Sequence, residues 1–232
     1  MFDQVSPRDR ILAAALECAA TKSWSDVTLL DIADAAKLPL TDLRKNFSSK
    51  TDIIAGLLRA VDDEVLKHAP KRTEGQSARD TLFDIVMSRF DVLSPYKKAL
   101  HSIHASGAAD LALARPVLAS MGWMLEAAGI GTDGAAGSLR MTGLAAVYAS
   151  VFRTWLEDDD PGCARTMAAL DRRLRRGESA IRNVEQVSAV VTRLATDGPA
   201  FLRSVFQGRP TPPPPPPPPE AGPGQGQEAG LP

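Results

Sequence analysis

The chain has 232 residues, 44% of them hydrophobic and 24% charged, which suffices for one or two packed domains and excludes a fibrous or wholly disordered chain. Its formal net charge of −1 means that any affinity for nucleic acid has to come from a local basic patch rather than a general field. No apolar run approaches the roughly 20 residues of a membrane span, and Met1-Phe2-Asp3-Gln4 lacks the basic region and apolar run of a secretory signal.

Helical periodicity dominates from the first residues onward, with almost no strand signal. Ser6-Pro7 precedes Ile11, Leu12, Ala15, Leu16, Ala19 and Ala20, whose spacing predicts an amphipathic helix over residues 7 to 21. Cys18 lies close to that stripe and reads as a small core residue rather than a reactive thiol. It and Cys163 lie far apart without CxxC or Cys/His clustering, so neither a zinc site nor a disulfide framework is expected and a reducing, cytoplasmic setting fits.

Thr28 and Asp31 form a capping-box pattern that opens a second helix, with Ile32, Ala33, Ala35 and Ala36 as its small buried face. Lys37-Leu38-Pro39 breaks it, because a residue before proline avoids the helical region and proline suits the start of a new helix. A third helix follows at once, from Leu40 to about Asn46, and Phe47-Ser48-Ser49-Lys50 opens a fourth that runs to about His68. Two short helices joined by a tight turn are the geometry that lays the second in a DNA major groove while the first crosses the backbone.

These residues carry a specific resemblance. Ile11, Ala14-Ala15, Val27-Thr28, Ile32-Ala33, Ala36, Leu38, Leu43, Phe47, Ser49-Lys50 and Leu57 resemble the apolar skeleton and helix starts of the TetR family of one-component transcriptional regulators, over residues 8 to 58. The resemblance implies an all-α, TetR-like fold and a DNA-binding surface at Thr28, Lys37, Thr41, Arg44, Lys45 and Lys50. Two departures fall on that surface. Lys37 stands where the family usually has a turn glycine, and so has to adopt an unfavourable backbone geometry or a remodelled turn. Arg44 stands where the family usually has a phosphate-contacting tyrosine, a role that a guanidinium also fills. Lys50 matches the family's phosphate-neutralising lysine. Across residues 1 to 60, however, eight basic residues are balanced by eight acidic ones, and Asp42 sits inside the reading helix. Placement, not net charge, has to supply the affinity.

Pro70 to Gln76 reads as a polar hinge. Beyond it Leu82, Ile85, Val86, Phe90 and Leu93 define a helix face ended by Ser94-Pro95, and helices over Tyr96 to Ser106 and Leu111 to Ala128 follow, with Pro116 as a possible fresh start. Gly129 to Gly137 reads as a polar loop whose GxG lacks a preceding strand and is discounted as a phosphate site. A long apolar helix from Leu139 to Leu156 ends at Asp158-Asp159-Asp160-Pro161, which reads as a solvated turn rather than a metal site. A basic amphipathic helix, Ala164 to Arg176, comes next, its arginines forming a charged outer face over an apolar seam. His101 and His104 lie one turn apart without further ligands, so no metal, cofactor or catalytic pair is expected, and the chain does not read as an enzyme. Phe90, Met121, Trp123, Met124, Met141, Tyr148, Phe152 and Trp155 are candidates to line an apolar ligand pocket, although most such residues serve as core.

This second half carries a resemblance of its own. Leu93 to Leu100 (LSPYKKAL), Leu144 to Pro161 and Thr166 to Arg176 resemble the Coq-nine family of ubiquinone-biosynthesis accessory proteins, which bind lipids on a TetR-type fold. The expected organisation is therefore a helix-turn-helix domain at 1–58, a helical ligand-binding and dimerisation domain at 59–207, and a Pro-rich tail at 208–232 in which Pro212 to Pro219 form a polyproline II rod. The expected function is a ligand-responsive regulator, a repressor that binds a palindromic double-stranded operator as a homodimer and responds to a small apolar effector or lipid. The alternative is a lipid-binding accessory protein of quinone metabolism that has kept the fold.

Overall fold

The computed structural model describes residues 6–70, 75–107 and 111–177, all of them helix, turn or loop with no strand. The Pro-rich tail, the end of the expected dimerisation domain and residues 71–74 of the expected hinge lie outside the described residues. In chain order the helices are α1 (Pro7–Thr21), α2 (Leu29–Ala35), α3 (Leu40–Asn46), α4 (Lys50–Lys67), α5 (Ala78–Leu93), α6 (Lys97–Ala105), α7 (Ala114–Ala127) and α8 (Gly134–Leu156). A further helical stretch covers residues 164–177. Among the described residues, no helix is long and apolar enough to cross a membrane.

The starts of α1, α2 and α4 are written locally. Ser6, Thr28 and Ser49 each hold an extended backbone at the N-cap, and their hydroxyls accept the amide of Asp9, Asp31 and Asp52 three residues on. Each such cap contributes about 1 kcal/mol to its helix. The caps aim apolar faces of α1 to α4 at one another: Ile11, Leu12, Leu16, Ile32, Leu43, Phe47, Ile53 and Leu57 are all buried. Phe47 occupies the centre, with the Arg8 guanidinium 4.7 Å from its ring centroid on one side. Gly56 lies against both, where an added Cβ would come within 2.6 Å of Phe47 Cε1 and 3.1 Å of Arg8 Nη2. A glycine there lets α4 approach the end of α3 closely.

Three features of the body depart from the sequence-based expectation. The loop expected at Gly129 to Gly137 ends earlier, because α8 begins at Gly134. Gly134 takes a left-handed φ of +65°, and a Cβ on Gly137 would fall 1.8 Å from the Thr132 carbonyl oxygen, so the glycines serve a tight entry into the helix rather than a long loop. Pro116 does not start α7 but sits in its first turn, where an amide is not needed for helix bonding. The acidic turn is not simply solvated. Asp158 is buried, its carboxylate accepting the Thr166 amide at 2.9 Å and the Thr166 hydroxyl at 2.7 Å, while Asp160 accepts the amides of Gly162 and Ala164. The aspartates satisfy the free amides that begin the helix at 164–177. The Thr166 hydroxyl is also the main reason that the Asp158 carboxyl is held below the usual carboxylate range.

The body's interior contains a polar cluster as well as apolar side chains. Asp62 of α4 and Arg89 of α5 form a buried ion pair, the Ser120 hydroxyl of α7 donates to the same Asp62 oxygen at 2.7 Å, and Arg89 Nε donates to the Tyr148 hydroxyl of α8 at 3.1 Å. Burial opposes the charge on Arg89, but the Tyr148 and Asp62 oxygens outweigh it and raise its pKa. Burial likewise pushes the Tyr148 phenol up. One cluster thus joins four helices, and its Asp62 belongs to α4, which also packs against α1.

Candidate nucleic-acid interface

The turn between α2 and α3 is closed by backbone bonds of a defined kind. The Lys37 amide donates to the Asp34 carbonyl at 3.0 Å and the Leu38 amide to the Ala33 carbonyl at 3.0 Å, the pair of bonds of a Schellman C-cap. Such a cap places its residue after the helix in the left-handed region, and Lys37 has φ +54°. The lysine therefore takes the conformation that a glycine would adopt without steric cost, and the turn keeps its geometry. Arg10 of α1 clamps it, Nη2 donating to the carbonyls of Ala36 at 2.6 Å and Lys37 at 3.0 Å. The sequence reading did not single out Arg10. The only available signal was a charged residue immediately before the buried Ile11-Leu12 pair.

Helix α3 is fixed on its inner side by Leu43, which is 1% exposed, and by Phe47 just beyond its end. The helix shows two exposed stripes to solvent, each a pair four residues apart: Thr41 with Lys45 on the face opposite Leu43, and Leu40 with Arg44 along its flank. The Lys45 ammonium donates to Asp42 at 2.8 Å, a contact that raises its pKa. Arg44 has no ion pair among the described residues. Asp42 is thus occupied within its own helix, and the guanidinium remains as the outward cation of α3.

Thr28 and Lys50, both expected at the DNA-binding surface, have partners within the chain. The Thr28 hydroxyl accepts the Asp31 amide at 3.1 Å and donates to the Asp31 carboxylate at 2.7 Å, so it is engaged in the cap. Lys22 Nζ reaches the same carboxylate at 2.7 Å, and together these bonds hold the Asp31 carboxyl well below the usual range. Lys50 turns inward: Nζ donates to the carbonyls of Trp24 and Val27, the latter at 2.6 Å, and lies 4.7 Å from the Trp24 ring centroid. Burial there lowers its pKa. Its role is to tie the first turn of α4 to the 22–27 loop that leads into α2.

The same loop is also tied to the body. The Ser102 hydroxyl of α6 accepts the Trp24 amide at 3.0 Å and donates to the Lys22 carbonyl at 3.2 Å. A displacement of α6 or of α4 therefore acts directly on the segment that carries α2. Cys18, whose thiol lies 3.8 Å from the Asp31 carbonyl, is pushed up in pKa mainly by burial and shows no activation.

Of the candidate pocket residues, the structure brings Phe90, Tyr148, Phe152 and Trp155 into one aromatic stack, with centroid separations of 5.5 Å for Phe90–Tyr148, 5.3 Å for Phe90–Trp155 and 5.6 Å for Phe152–Trp155. Met121 and Met124 are fully buried on α7, and Met141 packs over Gly122. Trp123 does not join them. It is 59% exposed, because its neighbours Met121, Met124 and Leu125 take the inward face of α7. The charged members of this interior, Asp62 and Arg89, were missed by the sequence reading. The signal was Arg89 itself, which occupies an inward slot of the 82, 86, 89, 93 pattern.

No protein-family model and no curated protein matches the chain. Among solved structures it is similar to a TetR transcriptional regulator from Nitrosomonas europaea ATCC 19718, at 26% identity and TM-score 0.57, over 74% of this chain and 97% of that one. It is also similar to a TetR transcriptional regulator from Rhodococcus sp. RHA1, at 18% identity and TM-score 0.54, over 74% of this chain and 95% of that one. A TetR-family regulator from Streptomyces coelicolor aligns at 17% identity and TM-score 0.50, over 83% of this chain and 92% of that one. The chain has an all-α, TetR-like fold.

Proposed function

We propose that this protein is a ligand-responsive, DNA-binding transcriptional regulator, a repressor that binds a palindromic operator as a homodimer. The observation that carries the reading is α3: seated by Leu43 and Phe47, it presents to solvent Thr41 and Arg44, the latter without an ion pair among the described residues. Residues 1–58 form the reading head and 59–207 the effector-sensing, dimerising body. Two heads, one per subunit, occupy successive major grooves about 34–36 Å apart. An apolar effector acts among the aromatic and methionine side chains of α5, α7 and α8. Its effect reaches the head by two routes, through Asp62 along α4 and through Ser102 of α6 to the 22–27 loop.

The alternative is a lipid-binding accessory protein of ubiquinone biosynthesis, favoured by the aromatic stack of Phe90, Tyr148, Phe152 and Trp155 inside the body. Mobility shift of the full chain on DNA flanking its own gene, across a range of salt, separates the two. A sequence-selective shift that weakens steeply with salt supports the regulator. Its absence from ligand-free protein refutes it, and a co-purifying isoprenoid lipid found by organic extraction and mass spectrometry would then favour the accessory role.

A further inference from the structure

The large apolar side chains left exposed among the described residues are Leu30, Leu40, Trp123, Leu139 and Met167. Two of them lie on the helix-turn-helix. Leu30, on α2, shares its stripe with Asp34 four residues on, a carboxylate that suits no phosphate. Leu40, 48% exposed on α3, shares its stripe with Arg44.

Leu40 is not one of the buried side chains that seat α3. Leu43 and Phe47 supply the inward anchorage of α3, and Pro39 sets the entry of the helix with an extended backbone. A polar residue at Leu40 would leave those two anchors in place and would be better solvated on its exposed half. Its side chain is instead about half exposed, next in sequence to the exposed Thr41 and one turn before Arg44, which has no ion pair among the described residues. A major groove presents hydrogen-bonding edges at every base pair but a hydrocarbon group at only one base, the C5-methyl of thymine.

We infer that Leu40 is a specificity-determining residue that packs against the C5-methyl of a thymine in each half-site, while Arg44 engages the DNA one turn further along α3. The inference rests on the DNA-reading function proposed above. It assigns recognition at this position to apolar contact, so the preference is for the methyl group and not for the hydrogen-bonding edge of the base.

The test begins with selection of binding sequences from a random duplex pool by the full chain, followed by replacement of each thymine in a selected site with deoxyuridine, which removes only the methyl. One thymine per half-site is expected at which uridine weakens wild-type binding about fivefold, the effect of one buried methyl-sized contact. Leu40→Ala should bind the two duplexes equally, with an unchanged salt slope and a single cooperative melting transition. No uridine effect in the wild type, or an effect that persists in Leu40→Ala and disappears in Thr41→Ser, overturns the assignment to Leu40. Failure of the pool to yield any selected sequence overturns the DNA-reading function itself.

Discussion

Arg10 Nη2 donates to the Lys37 carbonyl at 3.0 Å, so a side chain of α1 holds the backbone of the one residue in the reading turn whose φ is positive. The Schellman bonds demand that conformation, and a side chain with a Cβ strains in it. Lys37→Gly should therefore raise unfolding stability by about 1 kcal/mol while leaving the turn unchanged. Chemical denaturation of the two proteins measures this, and a destabilised Lys37→Gly would show that the lysine side chain contributes more than its backbone strain costs. Arg10→Ala should act in the opposite sense, because it frees two carbonyls from a charged donor.

The helix-turn-helix was legible in the sequence because its signals are local. Thr28 with Asp31, Ser49 with Asp52 and Lys37-Leu38-Pro39 act within a few residues of themselves, and the predicted bounds of α1 and α3 coincide with those observed. The Lys37 strain was legible for the same reason. What the sequence could not display depends on which helices meet. Lys50 looks like a free surface cation until the Trp24 and Val27 carbonyls, more than twenty residues earlier, are brought beneath it. Asp158 looks like one of three solvated aspartates until the chain folds back to place Thr166 over it. Trp123 has the composition of a pocket residue, but its neighbours on α7 already fill the inward face.

The buried pair of Asp62 and Arg89 gives a second prediction. Arg89→Met removes the guanidinium and leaves the Asp62 carboxylate in the interior with only the Ser120 hydroxyl, which should cost about 3–5 kcal/mol. The double variant Asp62→Leu with Arg89→Met removes both charges and should recover most of that loss. Urea denaturation of the single and double variants reads the difference. A double variant no more stable than the single would mean that shape, not charge pairing, governs the site. If α4 transmits an effector signal through Asp62, the double variant should also uncouple effector binding from DNA release.

The Asp158 carboxyl yields a pH dependence whose sign is fixed. Its pKa is lowered in the folded chain, so its contribution to stability is fully present above the unfolded value of about 4 and is lost as pH falls through the lower folded value. Asp158→Asn keeps an oxygen for the Thr166 donors but not the charge. The difference in melting temperature between wild type and Asp158→Asn should be constant from about pH 5 to 8 and should shrink below about pH 4. A difference that stays constant into acid would remove the carboxylate charge from the account of this turn.

Arg44 and Lys45 are adjacent cations on one exposed helix, and the structure distinguishes them. Lys45 is paired with Asp42 at 2.8 Å, whereas Arg44 has no ion pair among the described residues. Binding through Lys45 has to break that pair, and the carboxylate it releases would then repel the DNA backbone. Arg44 carries no such cost. Arg44→Ala should therefore weaken binding to all duplexes alike and reduce the magnitude of the salt slope by about one per subunit, as expected when one phosphate contact is lost. Lys45→Ala should do less, since it frees Asp42 at the same time as it removes a cation, and the double variant Asp42→Asn with Lys45→Ala should bind more tightly than Lys45→Ala alone. Salt titrations of the mobility shift measure all three variants. Equal losses for Arg44→Ala and Lys45→Ala would show that the Asp42 pair dissolves on DNA and that both cations reach phosphate.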